Sequence, residues 1–214
     1  MKNETKGVEM KVLLVNGSPH REGCTHLALS EVASALEKNG FESEIFHIGT
    51  KPVQGCTGCF QCKEENASGC VFKDKLYTDF VAKIQECDAI VIGSPVYYAG
   101  PPGSLCSILD RVFFSAGKSL KGKCAAAIVN CRRGGASAAF DRLNKYFTIN
   151  QMPVVSSQYW NSTHGMTTDD LRQDLEGLQT MRTLGNNMAY LMRSIDKAKM
   201  TPPPQEERIV TNFI

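Results

Sequence analysis

The sequence predicts an α/β domain built on a doubly wound, five-stranded parallel sheet, and three observations lead there. Five short runs alternate with segments of helical period along residues 10–200. The inner runs are almost continuously apolar, as strands buried on both faces are. The linking segments have the lengths that suit a doubly wound arrangement.

The first strand spans residues 11–16 and is closed by Gly17. Beyond Cys24, residues Leu27, Leu29, Val32, Ala35 and Leu36 share one face of a helix that Gly40 stops. Residues 41–48 alternate enough for a second strand. The stretch 50–75 keeps neither period and holds a cluster of cysteines, which marks a loop with a function. Leu76, Phe80, Val81 and Ile84 define the second helix, and residues 89–93 the third strand. A loop punctuated by Gly100, Pro101, Pro102 and Gly103 leads into a third helix carrying Leu105, Ile108, Leu109, Val112 and Phe113. The fourth strand covers 123–130, and Gly134 and Gly135 open a fourth helix with Ala139, Leu143 and Phe147. Residues 153–159 form a fifth, more polar strand toward one edge. One long last helix starts near Thr167, with Asp169 and Asp170 at its positive end. Residues 1–9 are a flexible N-terminus, and the Pro-rich stretch 201–214 is an extended arm, apolar at Ile209, Val210, Phe213 and Ile214.

Composition narrows the function. At 42% hydrophobic and 21% charged residues, the chain has material for a core and too little charge for disorder. Lys plus Arg (24) barely exceed Asp plus Glu (22), so no basic surplus points to nucleic acid. The apolar runs fall well short of the roughly 20 residues of a membrane helix. Residues 1–9 hold no apolar stretch of signal-peptide length, which points to the cytoplasm. The nine cysteines, an odd number without an export signal, are expected reduced or metal-bound rather than paired in disulfides.

In such a sheet, ligands bind at the carboxyl ends of the strands, at the switch point. Periodicity does not choose the strand order; for the order 2-1-3-4-5 the switch point lies between the first and third strands. The first loop there, GSPHREGCTH, links a strand to a helix, so its N–H groups and the helix dipole form a phosphate cradle helped by Ser18 and Thr25, with His20 and Arg21 at the rim. It lacks both the dinucleotide fingerprint and the triphosphate-loop Gly-Lys-Ser/Thr, which favours a monophosphate. The second, SPVYYAGPPGSL, sets Tyr97 and Tyr98 as a wall for a flat ring. The third, NCRRGGAS, combines two glycines for close backbone approach with two arginines for a ring edge or an anionic cosubstrate.

Together, GSPHREGCT, GSPVYYAGPPGSLCSILDR and RRGG resemble the NADPH-dependent FMN reductase family of the flavodoxin-like superfold, over most of residues 10–195. The resemblance implies the strand order 2-1-3-4-5, FMN as cofactor and NAD(P)H as cosubstrate. It also implies that Ser18, Arg21, Cys24 and Thr25 hold the phosphate, that Pro95, Val96, Tyr97, Tyr98 and Gly100 line the ring, and that Arg132, Arg133, Gly134 and Gly135 close the site. Two residues depart from the family pattern: Cys24, where relatives often carry Asn, and Ala99, where they often carry Asn or Gly. A homodimer or homotetramer is a further implication.

GCTGCFQCKEENASGC spaces Cys56, Cys59, Cys62 and Cys70 as C-x2-C-x2-C-x7-C. Successive short gaps wrap a chain around one compact object, as in ferredoxin-type segments, and favour a 4Fe-4S cluster over zinc. Lys51, Lys63, Lys73 and Lys75 are near enough in sequence to screen its charge. Here the resemblance is to the iron-sulfur flavoprotein branch of the same family. Unligated thiols, or a redox dithiol of Cys56 and Cys59, remain open at this point. The scattered Cys87, Cys106, Cys124 and Cys131 are expected in the core.

Trp160, Asn161 and His164 are expected near the carboxyl end of the fifth strand, and His26 and His47 as ordinary helix and strand residues. Two functional readings stand. One is an FMN-dependent NAD(P)H oxidoreductase passing electrons to a small-molecule acceptor, with no catalytic side chain because the flavin carries the chemistry. The other is an iron-sulfur flavoprotein that carries electrons from a ferredoxin.

Overall fold

The computed structural model describes residues 10–204, 206–207 and 209–211. The segment 1–9, Phe213 and Ile214 therefore lie outside the described residues. Five parallel strands, β1 (Lys11–Asn16), β2 (Glu42–His47), β3 (Ala89–Pro95), β4 (Cys124–Cys131) and β5 (Ser162–His164), form one sheet in the order β2-β1-β3-β4-β5. The helices are α1 (Cys24–Lys38), α2 (Lys75–Glu86), α3 (Gly103–Ala116), α4 (Ala136–Ile149), α5 (Thr168–Gln173) and α6 (Leu175–Ala198).

Strand pleating sends alternate residues into two cores, which is why the inner strands read as unbroken apolar runs. Leu13 and Val15, Ile90 and Ile92, and Ala125, Ala127 and Val129 pack against α2, α3 and α4. Val12 and Leu14, Ala89 and Val91, and Cys124, Ala126 and Ile128 pack against α1 and α6. The small side chains of β4 let helices approach the sheet on both faces. β2 is an edge strand, and its ESEIFH sequence is half-buried rather than enclosed.

Two expectations need correction. The fifth strand is residues 162–164 and not 153–159; Val154 makes only an isolated bridge to Ala125. Between them the chain leaves the sheet because Asn161 takes the strand's bonds to β4: its Nδ2 donates to the Ala127 carbonyl (3.0 Å) and its own carbonyl accepts from Val129 N–H (2.9 Å). Ser157 Oγ closes the detour, lying 2.7 Å from both the Tyr159 carbonyl and Asn161 Oδ1, between which its single proton is shared. The expected single last helix is also broken, at Asp174, whose ψ of 71° leaves the helical region. Its carboxylate accepts from Gly177 N–H (2.9 Å), capping α6, and from His164 N–H (2.6 Å). Thr167 and Asp170 form a capping box that starts α5 separately.

Beyond α6, residues 201–204 hold no regular secondary structure and are exposed, and Ile209 and Val210 are exposed too. No helix among the described residues is long and apolar enough to cross a membrane.

Candidate functional site

The loop between β1 and α1 is shaped by Asn16, a fully buried residue at the end of β1. Its Nδ2 donates to the carbonyls of Arg21 (3.1 Å) and His20 (3.4 Å), and its Oδ1 accepts from Ser18 N–H (3.0 Å). Ser18 Oγ accepts from His20 N–H (3.1 Å), and Gly17 N–H donates to the Gly93 carbonyl across the switch point (2.8 Å). A β-carbon at Gly17 would fall 2.8 Å from that carbonyl, so the β1 and β3 ends meet only because residue 17 lacks one.

α1 is preceded by Gly23 at the N-cap, so no side chain caps its start. Its first N–H groups and its positive end are therefore left for a ligand, and an anion is the ligand they favour. Ser18 and Thr25 are buried at this end, whereas His20 and Arg21 are exposed. Cys24 is half-buried and its Sγ contacts the Gly165 carbonyl at 3.8 Å; burial pushes this thiol up, so it is a neutral, packed group here.

His47 is more than an ordinary strand residue: its Nε2 donates to the Ser18 carbonyl at 2.8 Å. It ties β2 to the cradle, a partnership that no local pattern reveals because the residues are 29 positions apart. Sequence reading also missed Asn16, for which a polar residue closing an apolar strand was the available signal.

At the end of β3, Tyr97 and Gly100 exchange backbone hydrogen bonds (2.8 and 3.0 Å) around Tyr98 and Ala99, both at positive φ (49° and 60°). Left-handed backbone at both central positions is the primed hairpin geometry, which favours Gly and Asn. The departure of Ala99 from the family pattern therefore concerns backbone strain. Pro95 and Val96 are half-buried, Tyr97 is 46% exposed and Tyr98 protrudes completely. Val96 N–H donates to the Asn130 carbonyl (3.0 Å), which holds this loop against the start of the third.

In the third loop Arg132, Arg133 and Gly134 are exposed. Gly135, at φ 87°, caps α4 and lies directly against Ala99 and Val96. Asn130 joins this loop to β5 by accepting from Thr163 Oγ1 (3.0 Å) and donating to the Gly165 carbonyl (3.1 Å). Trp160 and Asn161 precede β5, so only His164 occupies a carboxyl end. Trp160 is 58% exposed, with its ring 5.1 Å from that of Tyr159.

The cysteine segment folds onto the far end of α3. Phe60 meets Phe114 edge-on at 5.8 Å, and Lys63 lies over the Phe114 ring at 4.2 Å. Cys56, Cys59, Cys62 and Cys70 line one pocket with Phe60, Phe72, Phe114 and Arg111. They line it without converging on a point: among the described residues no three His, Cys, Asp or Glu side chains form a group that would hold a metal ion. Burial pushes the Cys62 thiol up; Lys63 draws it down, and the other three cysteines add to the upward push. Four thiolates here need a cation to coexist, which fits a thiolate-ligated cluster.

That cation comes less from the lysines than expected. Lys75 pairs with Asp79 (2.8 Å), Lys73 donates to Ser68 Oγ (2.5 Å), and Lys63 Nζ bonds the Phe114 carbonyl while still influencing Cys62. The buried charge is Arg111, a residue of the SILDR stretch, bonded to the carbonyls of Gln54 (3.2 Å) and Phe72 and paired with Asp74 at 2.6 Å. Burial works to lower its pKa, and hydrogen bonding to Cys70 and Asp74 outweighs that. Tyr77 OH accepts from Cys70 N–H (2.9 Å) and contacts Ser115 Oγ (2.7 Å), fixing the end of the segment. Of the scattered cysteines, Cys87, Cys124 and Cys131 are buried as expected, and Cys106 is half-buried.

A parallel sheet of order 2-1-3-4-5 with an uncapped helix N-terminus and an aromatic loop on either side of its switch point defines a flavodoxin-like protein of the flavin-binding kind. The chain belongs to the NADPH-dependent FMN reductase family, whose model matches residues 10–167. FMN is the cofactor that this membership supports. An iron-sulfur flavoprotein of Methanocaldococcus jannaschii is 33% identical over 196 residues, covering 88% of this chain and 100% of that protein. Among solved structures, RosB with bound intermediate OHC-RP (8-demethyl-8-formylriboflavin-5'-phosphate) superposes with a TM-score of 0.71 at 16% identity, covering 95% of this chain and 92% of RosB. A flavodoxin from the domain Archaea gives a TM-score of 0.56 at 16% identity, covering 86% of this chain and 99% of that one.

Proposed function

We propose that this protein is an FMN-dependent oxidoreductase of the iron-sulfur flavoprotein type, in which Cys56, Cys59, Cys62 and Cys70 ligate a 4Fe-4S cluster. The observation that carries this reading is the single pocket lined by all four thiols, against the same helix, α3, that begins beside the flavin loop. FMN supplies two-electron chemistry and a cluster supplies one-electron storage, so the pair suits a protein that divides electron pairs.

The chain's own part is to bind and orient. Ser18, Thr25 and the N–H groups opening α1 hold the phosphate, with Arg21 and His20 at the rim and Cys24 packed behind. Pro95, Val96, Tyr97, Tyr98 and Gly100 border the ring, and Arg132, Arg133, Gly134 and Gly135 close its far side. A second reading, reduction by NAD(P)H with a small-molecule acceptor, is favoured by the exposed Arg132 and Arg133, which are free to take an anionic cosubstrate. On the first reading the electron source is a ferredoxin. A homodimer or homotetramer fits the exposed Tyr98, Tyr159 and Trp160.

Anaerobic purification followed by iron, sulfide, zinc and flavin analysis tests the proposal. One FMN with roughly four irons and four sulfides per chain is the expected composition. FMN without metal, even after reconstitution, leaves the nicotinamide-dependent reductase alone. Zinc in place of iron would mean a redox-inert clip.

A further inference from the structure

Arg111 has no solvent-exposed side-chain surface, and it is an unusual group to enclose so completely. Its partners explain part of the cost. Nη1 donates to the Gln54 carbonyl and Nη2 to the Phe72 carbonyl, and Asp74 balances the charge. Residue 54 is two positions before Cys56 and residue 72 two positions after Cys70, so one guanidinium clasps both ends of the segment carrying the four thiols. Tyr77 lies under the group at 5.0 Å.

One donor remains. Arg111 Nε is buried without an acceptor, and an unpaired buried charged donor costs more than a neutral one. Arg111 also lines the cysteine pocket. A donor left unpaired beside four thiols is explained if its acceptor arrives with what those thiols hold: cluster or cysteine sulfur, both electron-rich.

We propose that Arg111 is a positioning residue for the iron-sulfur group, clasping the two ends of the cysteine segment through the Gln54 and Phe72 carbonyls and reserving its Nε–H for the sulfur-rich, negatively charged group ligated by Cys56, Cys59, Cys62 and Cys70. This rests on the cluster reading above. A fixed positive charge with a hydrogen bond to sulfur favours the reduced, more negative state and raises the reduction potential of the cluster. The rigid fork makes the two-ended clasp, which a lysine cannot reproduce.

The test compares the wild-type protein with Arg111→Lys and Arg111→Gln, reconstituted anaerobically. FMN content reports folding, and chelator-driven cluster loss and the cluster midpoint potential are the readouts. Both variants are expected to keep FMN and to lose the cluster about tenfold faster than wild type, the size typical of an outer-shell change. Arg111→Gln should have the lower midpoint potential of the two, because Lys retains the charge. In the wild type labelled with 15N-arginine, pulsed EPR of the reduced cluster should detect a nitrogen coupling, a readout independent of any variant. Wild-type cluster retention and potential in both variants, or no coupling in the labelled protein, overturns the role of Arg111 while leaving the cluster intact. A wild type that takes up no iron and sulfide overturns the cluster reading itself, and this inference with it. If both variants lose FMN, the labelled wild type decides.

Discussion

Gly135 approaches Ala99 so closely that a β-carbon on Gly135 would fall 2.8 Å from the Ala99 α-carbon. The third loop thus buttresses the second backbone to backbone, and the two must move together. Ala99 meets this contact at φ 60°, a region in which an alanine is strained. Glycine there would remove a strain of about 1–2 kcal/mol and add a chain-entropy cost of about 0.5–1 kcal/mol.

Ala99→Gly is therefore expected to stabilise the flavin-free protein by about 0.5–1 kcal/mol in denaturant titration. Gly135→Ala should do the opposite, by about 1–3 kcal/mol, since it imposes both the clash and an unfavourable φ. Equal stability of the Gly135 variant would show that the loops separate freely.

Replacing Ser18 and Thr25 together by Ala should weaken FMN binding by about 1–3 kcal/mol, read by quenching of flavin fluorescence. Unchanged affinity would assign the whole cradle to the backbone N–H groups at the start of α1.

His47→Leu removes the donor that holds the Ser18 carbonyl, and FMN affinity should fall by about 1 kcal/mol. His47→Gln, which can still donate, is expected to recover part of the loss. If both variants bind FMN like the wild type, the bond between β2 and the cradle has no part in binding.

Burial pushes the Cys124 thiol up to about 11 from 9.0. Above 9.0 the unfolded chain releases this proton while the folded chain keeps it, so the contribution declines with rising pH and levels off near 11. The slope is about 1.4 kcal/mol per pH unit at most. Denaturant unfolding of wild type and Cys124→Ala at a series of alkaline pH values should show the two converging across that window. Parallel curves would place the thiol in a more polar setting than β4 provides.

Much of this protein is determined locally. Unbroken apolar runs flanked by Gly17, Gly40 and Gly135 define strands and helix ends, because the two periodicities and the demands of a turn act over a few residues. The candidate flavin loops are legible for the same reason: each is a continuous stretch after a strand. The detour at 156–161 and the break at Asp174 are decided otherwise. Asn161 takes the bonds to Ala127 and Val129 of β4 while the residues before it bulge away, and Asp174, besides capping its own helix at Gly177, serves His164 across the fold, partners that for Asn161 and His164 meet only once the chain has folded. The same holds for His47 on Ser18 and Arg111 on Gln54 and Phe72. A buried polar group is positioned by whichever partner satisfies it, and the tertiary structure alone decides which partners come within reach.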